Sequence, residues 1–181
     1  MSERLNPEVL VRVASPNVSE RLGSISLIVL HDTESSNIAG SIADLQGVAE
    51  WFANPASEVS AHVVTDADGH SARCVADYRK AWQCVDYNSA ALGIEQCGFA
   101  AQKAWDPLEL EESARWIAYW SHRHRLPIRR ALVAGGRVLR SGVTTHSRLG
   151  AAGGSHHDPG TDYPFAVVLR RARAIKRARY G

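Results

Sequence analysis

The sequence predicts a single α/β domain in which a central mixed β-sheet is flanked by α-helices. Three observations carry this reading. Short apolar, β-branched runs alternate along the chain with amphipathic segments of helical period. An Asp-Ala-Asp-Gly turn at 66–69 joins two of those runs as a hairpin. Finally, the 181 residues contain no repeat and no linker, and that length suits one domain with a proper core.

The elements follow in order. Residues 1–23 read as a polar lead-in. Ser24–Leu30 (SISLIVL) is a buried strand that delivers His31 at its C-terminal end, where open α/β sheets place their chemistry. Ser41–Phe52 carries Ile42, Leu45, Val48 and Phe52 at helical spacing and is stopped by Asn54-Pro55. Val59–Thr65 is a strand, with Ala72–Ala76 its hairpin partner. Ala91–Cys97 (ALGIEQC) is a further strand bearing one acid, Glu95. Pro107–Arg125 is the clearest helix, acidic in its first turns and basic at its end, as the helix dipole favours. Ile128–Val143 turns at Gly135-Gly136, and a basic helix closes the chain over about 165–179. The domain spans 1–181, with its core over about 24–169.

Composition narrows the function classes. Hydrophobic content of 45% and charged content of 22% are those of an ordinary globular chain, and no apolar run is long enough to cross a bilayer. The opening MSERLNPEVLVRV has charges where a signal peptide needs an apolar core, so synthesis in the cytoplasm without a cleavable signal is expected. The net charge of +2 is uneven: residues 169–181 hold six of the 21 Lys and Arg and none of the 19 acids. That end either faces water or offers a contact to an anionic surface such as a cell wall or membrane. No aromatic interleaving or groove-reading element accompanies it, so nucleic acid is not the expected partner. Cys74, Cys84 and Cys97 are odd in number and lack CxxC spacing, which fits small buried side chains.

The chemistry concentrates in Thr144–Gly160 (TTHSRLGAAGGSHHDPG), with three of the eight histidines, an aspartate and four glycines. His122 and His124 lie among arginines at a helix end and are expected to face solvent, and His70 follows a turn glycine and is expected at the surface; none is assigned a role. His31 differs, because a ring closing an apolar strand must find a partner when buried. His31, His146 and Asp158 together form a two-His, one-carboxylate set with an open fourth position, the pattern of a catalytic zinc.

The order of motifs resembles the type 2 N-acetylmuramoyl-L-alanine amidases, which include phage amidase endolysins and relatives of peptidoglycan recognition proteins. The matching pieces are LIVLHDTE (27–34), SAHVVTDADG (60–69), AW at 81–82, Asn88 with LGIEQCG (92–98), TTHSRLG (144–150) and HDPG (157–160). The resemblance covers about residues 24–169.

It implies an amidase-like fold with Zn2+ held by His31, His146 and Asp158, and Glu95 as the catalytic glutamate. Peptidoglycan would be the partner, cut between N-acetylmuramic acid and L-alanine. The implied setting is a monomeric phage or prophage endolysin acting on the bacterial wall after lysis. Two positions depart from the family pattern. His156 stands where many members carry the lysine that supports the oxyanion, with His157 a close rival for the place. Gln83 stands where many carry a groove-lining histidine. His62, in the SAH motif, reads as structural or groove-lining. The alternative function is a non-catalytic peptidoglycan-binding module on the same fold.

Overall fold

The computed structural model describes residues 7–181; residues 1–6 of the expected lead-in lie outside the described residues. Ten strands and three helices follow in the order β1 (Val9–Arg12), β2 (Val18–Glu20), β3 (Leu27–Asp32), α1 (Ala43–Ala53), β4 (Val63–Thr65), β5 (Ser71–Arg73), β6 (Arg79–Ala81), β7 (Ala91–Gln96), α2 (Pro107–Arg123), β8 (Leu132–Ala134), β9 (Arg137–Arg140), β10 (Gly142–Thr145) and α3 (Phe165–Tyr180). Six strands form one mixed sheet in the order β1-β5-β4-β7-β3-β10. Only the β4–β5 pair, the hairpin expected from the Asp-Gly turn, is antiparallel; the others are parallel. The described part of the lead-in is ordered rather than trailing: β1 extends the sheet beside β5, and β2 pairs with β6.

The sheet is covered on both faces, which is why its central strands read as nearly unbroken apolar runs. Ile28 and Leu30 of β3, Leu92 and Ile94 of β7, and Val143 of β10 pack against α2 and α3. The alternate residues point to the other face. There α1 brings Leu45, Ala49 and Phe52 onto Val64 and Ala72. A second cover, from the 3-10 turn Val85–Tyr87 and the long turn His146–Gly153, brings Tyr87 and Leu149 onto Leu27 and Val29. Between these covers the C-terminal ends of β3 and β7 stay open.

Helix α2 is buried nearly all round, because the sheet takes one side and α3 the other. Two acids of its first turns go inward. Glu112 accepts from Ser71 Oγ at 2.7 Å and pairs with Arg115 at 3.1 Å; Glu109 accepts from Asn37 at 3.0 Å. Basic residues of α3 are partly committed within the fold. Arg171 forms a two-point pair with Glu111, Arg173 donates to the Ile128 carbonyl, and Lys176 donates to Ser121 Oγ. Among the described residues no helix is long and apolar enough to cross a membrane.

Candidate metal centre

Three separate elements bring the candidate ligands together. His31 lies within β3, in register with Glu95 of β7, and both belong to the open face. Thr145 ends β10 beside Leu30, so His146 emerges next to His31. The chain then turns through His146–Gly153 and returns, and the Ser147 N–H donates to the Asp158 carbonyl at 2.9 Å, fixing where the aspartate re-enters. Gly154 makes this return possible. Its φ of +98° is left-handed, and a Cβ there would sit 2.9 Å from the His156 ring.

One donor atom from each of His31, His146 and Asp158 lies within 4.8 Å of the other two, and all three residues are buried. The Nδ1 atoms of the two histidines are 3.0 Å apart. His31 Nδ1 is 3.3 Å from Asp158 Oδ2, and His146 Nδ1 is 3.0 Å from Asp158 Oδ1. His146 Nε2–H donates to the Gly153 carbonyl at 2.8 Å, which leaves Nδ1 as a lone pair facing the other donors. Nδ1 lone pairs and a carboxylate converging at 3 Å repel one another unless a cation or shared proton lies between them. The residues therefore fit a divalent metal, and two imidazoles with one carboxylate are the protein share of an open catalytic zinc site.

The electrostatics agree. Burial drives the His31 pKa down to about 4, with the His146 charge adding to it and Asp158 opposing. Burial alone would raise Asp158, but the close approach of the His146 and His31 rings outweighs it and holds the carboxyl far below the usual range. The site thus keeps the His31 ring neutral and the Asp158 carboxylate ionised, the ligating forms. Burial, then the Asp158 and Asp32 charges, push Glu95 well above an ordinary glutamate, and burial raises Asp32 to about 7.

Around the triad opens a cleft of about 820 Å³ whose floor is the sheet and whose walls are α1 and the 82–88 segment. Glu95 Oε1 stands 3.9 Å from His31 Nδ1. His156 stacks on His146 with centroids 4.1 Å apart and an interplanar angle of 14°, its Nδ1 3.6 Å from Asp158 Oδ1. His157 turns outward, 79% exposed, and meets Glu34 at 3.1 Å. The two rivals therefore occupy different places, one against the triad and one on the rim. Gln83, Trp51 and Trp82 also line the cleft.

Residues 21–161 match the protein family described as N-acetylmuramoyl-L-alanine amidase (Amidase_2). The chain belongs to this family. N-acetylmuramoyl-L-alanine amidase A of Achromobacter lyticus is 35% identical over 104 residues, 56% of this chain and 54% of that protein. The chain thus spans about half the length of the curated relative it matches. Among solved structures, AmpD aligns over 97% of this chain and 98% of its own, with TM-score 0.65 and 21% identity. PlyL aligns over 91% and 96% with TM-score 0.67 and 15% identity, and LysC of Clostridium intestinale over 93% and 99% with TM-score 0.65 and 16% identity. These structural likenesses establish the amidase fold.

The other four histidines of this family member do not line the cleft. His62 is fully buried; it accepts the Gly93 N–H on Nδ1 at 3.1 Å and lies 2.9 Å from Arg21 Nη2. His70 faces Asp66 at 3.3 Å. His122 is exposed as expected, but His124 is not solvent-facing: its ring is 19% exposed and meets Asp77 at 2.8 Å. Asp77 gathers Arg73, His124 and the Trp120 N–H, and that convergence of distant residues had no local signal. The three cysteines are free and buried, as expected. Sequence reasoning passed over Asp32, whose Oδ2 is buried without a partner in the described structure.

Proposed function

We propose that this chain is a zinc-dependent N-acetylmuramoyl-L-alanine amidase that hydrolyses the amide joining the lactyl group of N-acetylmuramic acid to L-alanine in bacterial peptidoglycan. The observation that carries this is the buried His31–His146–Asp158 cluster beside Glu95, inside an open cleft, in a chain of the amidase family. His31, His146 and Asp158 would hold the metal. Zinc, when bound there, supplies Lewis acidity towards a water and towards the scissile carbonyl.

The chain's own groups do the rest. Glu95 is the nearest free carboxylate to the ligand set; it accepts the proton of the attacking water and passes it to the departing L-alanine nitrogen. His156, stacked on a ligand ring and open to the cleft, is the donor for the oxyanion. Its position against the triad supports this role over His157, which is engaged with Glu34 on the rim. Gly153 fixes the His146 tautomer, and Phe52 and Val48 give the cleft an apolar wall.

The biological setting proposed is a phage or prophage endolysin, made in the cytoplasm and acting on the wall after lysis as a monomeric unit spanning 1–181. Structural neighbours that are endolysins, from Clostridium intestinale and Bacillus subtilis, support that setting. The exposed Arg170 and Arg177 of α3 supply the contact with an anionic wall or membrane. Mass analysis of products from purified peptidoglycan tests the activity. New L-alanine amino termini are expected. New reducing ends, or intact wall bound without cleavage, would replace the reading with glycan hydrolysis or a binding module.

A further inference from the structure

A slip in the edge strand sets two arginines side by side. β1 pairs with β5 as Val9↔Ser71, Val11↔Ala72 and Arg12↔Arg73, so the register shifts between Val9 and Val11. In an unbroken strand Val9 and Val11 would share one face and Arg12 would point to the other. The shift instead sends Val11 to the α1 side and turns Arg12 to the α2 side, where Val9 also packs. Arg12 thereby neighbours Arg73 on one face, with Cα atoms about 5 Å apart. Like charges directly across a strand pair destabilise it unless an anion lies between them. Arg73 has its answer, because Asp77 pairs with it and its guanidinium lies 5.2 Å from the Trp116 ring centroid. Arg12 is exposed and forms no ion pair among the described residues.

Both arginines face a cavity of about 570 Å³ between the β1 edge and the C-terminal halves of α2 and α3. Arg179 lines it too, with the rings of Trp116, Tyr119 and Tyr180, and no acid is among its described lining residues. Two of the rings are fixed from outside. Trp116 Nε1–H donates to Ser71 Oγ at 2.7 Å, and Tyr180 stacks on His122 with centroids 4.5 Å apart. The cavity is remote from the metal centre. β5 runs against β4, β7 and β3, so Arg12 and Arg73 lie at the end of the sheet opposite His31 and Glu95, and on its other face. An arginine that merely blunted the sheet edge would point to solvent, and would need no shift of register to set it beside another. Guanidinium groups that converge without carboxylates suit an oxyanion, and their planar forks suit phosphate above all. A bare phosphate would leave most of the volume unfilled. The aromatic walls call for a ring with flat C–H faces, which a sugar offers.

We propose that this cavity is a second binding site, for a phosphorylated saccharide. The phosphate lies on Arg12, Arg73 and Arg179, and the sugar ring lies against Trp116, Tyr119 and Tyr180. The anion site stands on the geometry alone. The choice of a saccharide over a nucleotide rests on the amidase reading above, since a chain that works on a cell wall meets phosphate-bearing sugars there. Such a site would hold the chain to the wall at a point away from the reacting bond.

The test is calorimetric titration of the zinc-loaded full chain with N-acetylglucosamine 1-phosphate, inorganic phosphate, N-acetylglucosamine and AMP. Wild type, Arg12→Ala and Arg179→Ala are compared. Zinc can itself take a phosphate, so each titration is repeated on chelated protein. The sugar phosphate should bind wild type with or without the metal, inorganic phosphate at least tenfold more weakly, and the neutral sugar not measurably. R12A and R179A should each weaken the sugar phosphate about tenfold, the worth of one charge-assisted hydrogen bond. The melting temperature of R12A should stay level or rise, because one of two like charges has been removed. Turnover of a small muropeptide by R12A should be unchanged. Equal Kd in wild type and both variants, no binding by wild type, or binding that vanishes on chelation would overturn the proposal. AMP binding more tightly than the sugar phosphate would overturn its saccharide part. If wild type leaves a muropeptide uncut but binds the sugar phosphate through Arg12, the hydrolytic reading falls and the anion site stands. If wild type cuts the muropeptide and neither variant alters binding, the reverse holds.

Discussion

Lowering the pH from 7.5 to 5 should destabilise this protein through His62. Its ring is fully buried, and Nδ1 is occupied in accepting the Gly93 N–H. The proton of the neutral ring then belongs on Nε2, which faces the Arg79 carbonyl at 3.3 Å. A second proton would break the Gly93 bond and place a cation against Arg21, whose Nη2 is 2.9 Å away and already donates to the Arg79 and Ala91 carbonyls. Burial first, then the Arg21 and Arg73 charges, depress the His62 pKa from 6.5 to about 3. The unfolded chain therefore binds more protons than the native one between those values, so stability rises with pH across that window and is lost as pH falls. At pH 5 the loss attributable to His62 is about 2 kcal/mol, and it grows towards about 5 kcal/mol below pH 3. Urea unfolding at pH 7.5 and 5 in the presence of chelator, for wild type and His62→Asn, measures it. Asparagine keeps an acceptor for the Gly93 N–H but does not titrate. The wild type should lose about 2 kcal/mol more than the variant between the two pH values. Equal losses would refute the argument, because the acid sensitivity would then reside elsewhere.

Other outcomes follow from the metal centre and the surface. Asp158→Asn removes the one ionised ligand, and zinc affinity by competition with a chromogenic chelator should fall at least tenfold; unchanged affinity would remove Asp158 from the ligand set. Glu95→Gln should keep its zinc while losing about a hundredfold or more in kcat, and retained turnover would assign the proton transfer to another group. Chelation of wild type should abolish turnover, and its return on adding zinc would exclude irreversible unfolding as the cause. Charge reversal at Arg170 and Arg177 should weaken sedimentation with whole walls and leave turnover of a small muropeptide unchanged. Deleting the whole end of α3 would be a poorer test, since Ala172 and Ile175 are part of the core.

The expected metal cluster was legible because its parts are chemically conspicuous. His31 closes an apolar strand, and a glycine-rich loop with His146 and Asp158 has few structural uses. The central strands and the three helices were legible for a similar reason, since burial on one or both faces writes a period into the sequence. The ordered lead-in was missed because β1 and β2 are short and half-exposed, so their partners β5 and β6 define them more than their own residues do. His124 was misjudged on local company. Arginines surround it in sequence, but Asp77, 47 positions away, meets it in space.

By itself the sequence determined the α/β class, the order of the elements, the candidate ligand set and the resemblance to the amidases. These depend on periodicity and residue chemistry, which are local or nearly so. Only the tertiary structure decided which histidine stands against the triad, that His62 is a sealed structural ring, and that Arg12 stands beside Arg73. Each of these turns on which strands are neighbours and in what register. Pairing His31 with Glu95 and seating β10 beside β3 brings residues more than a hundred positions apart within hydrogen-bonding distance.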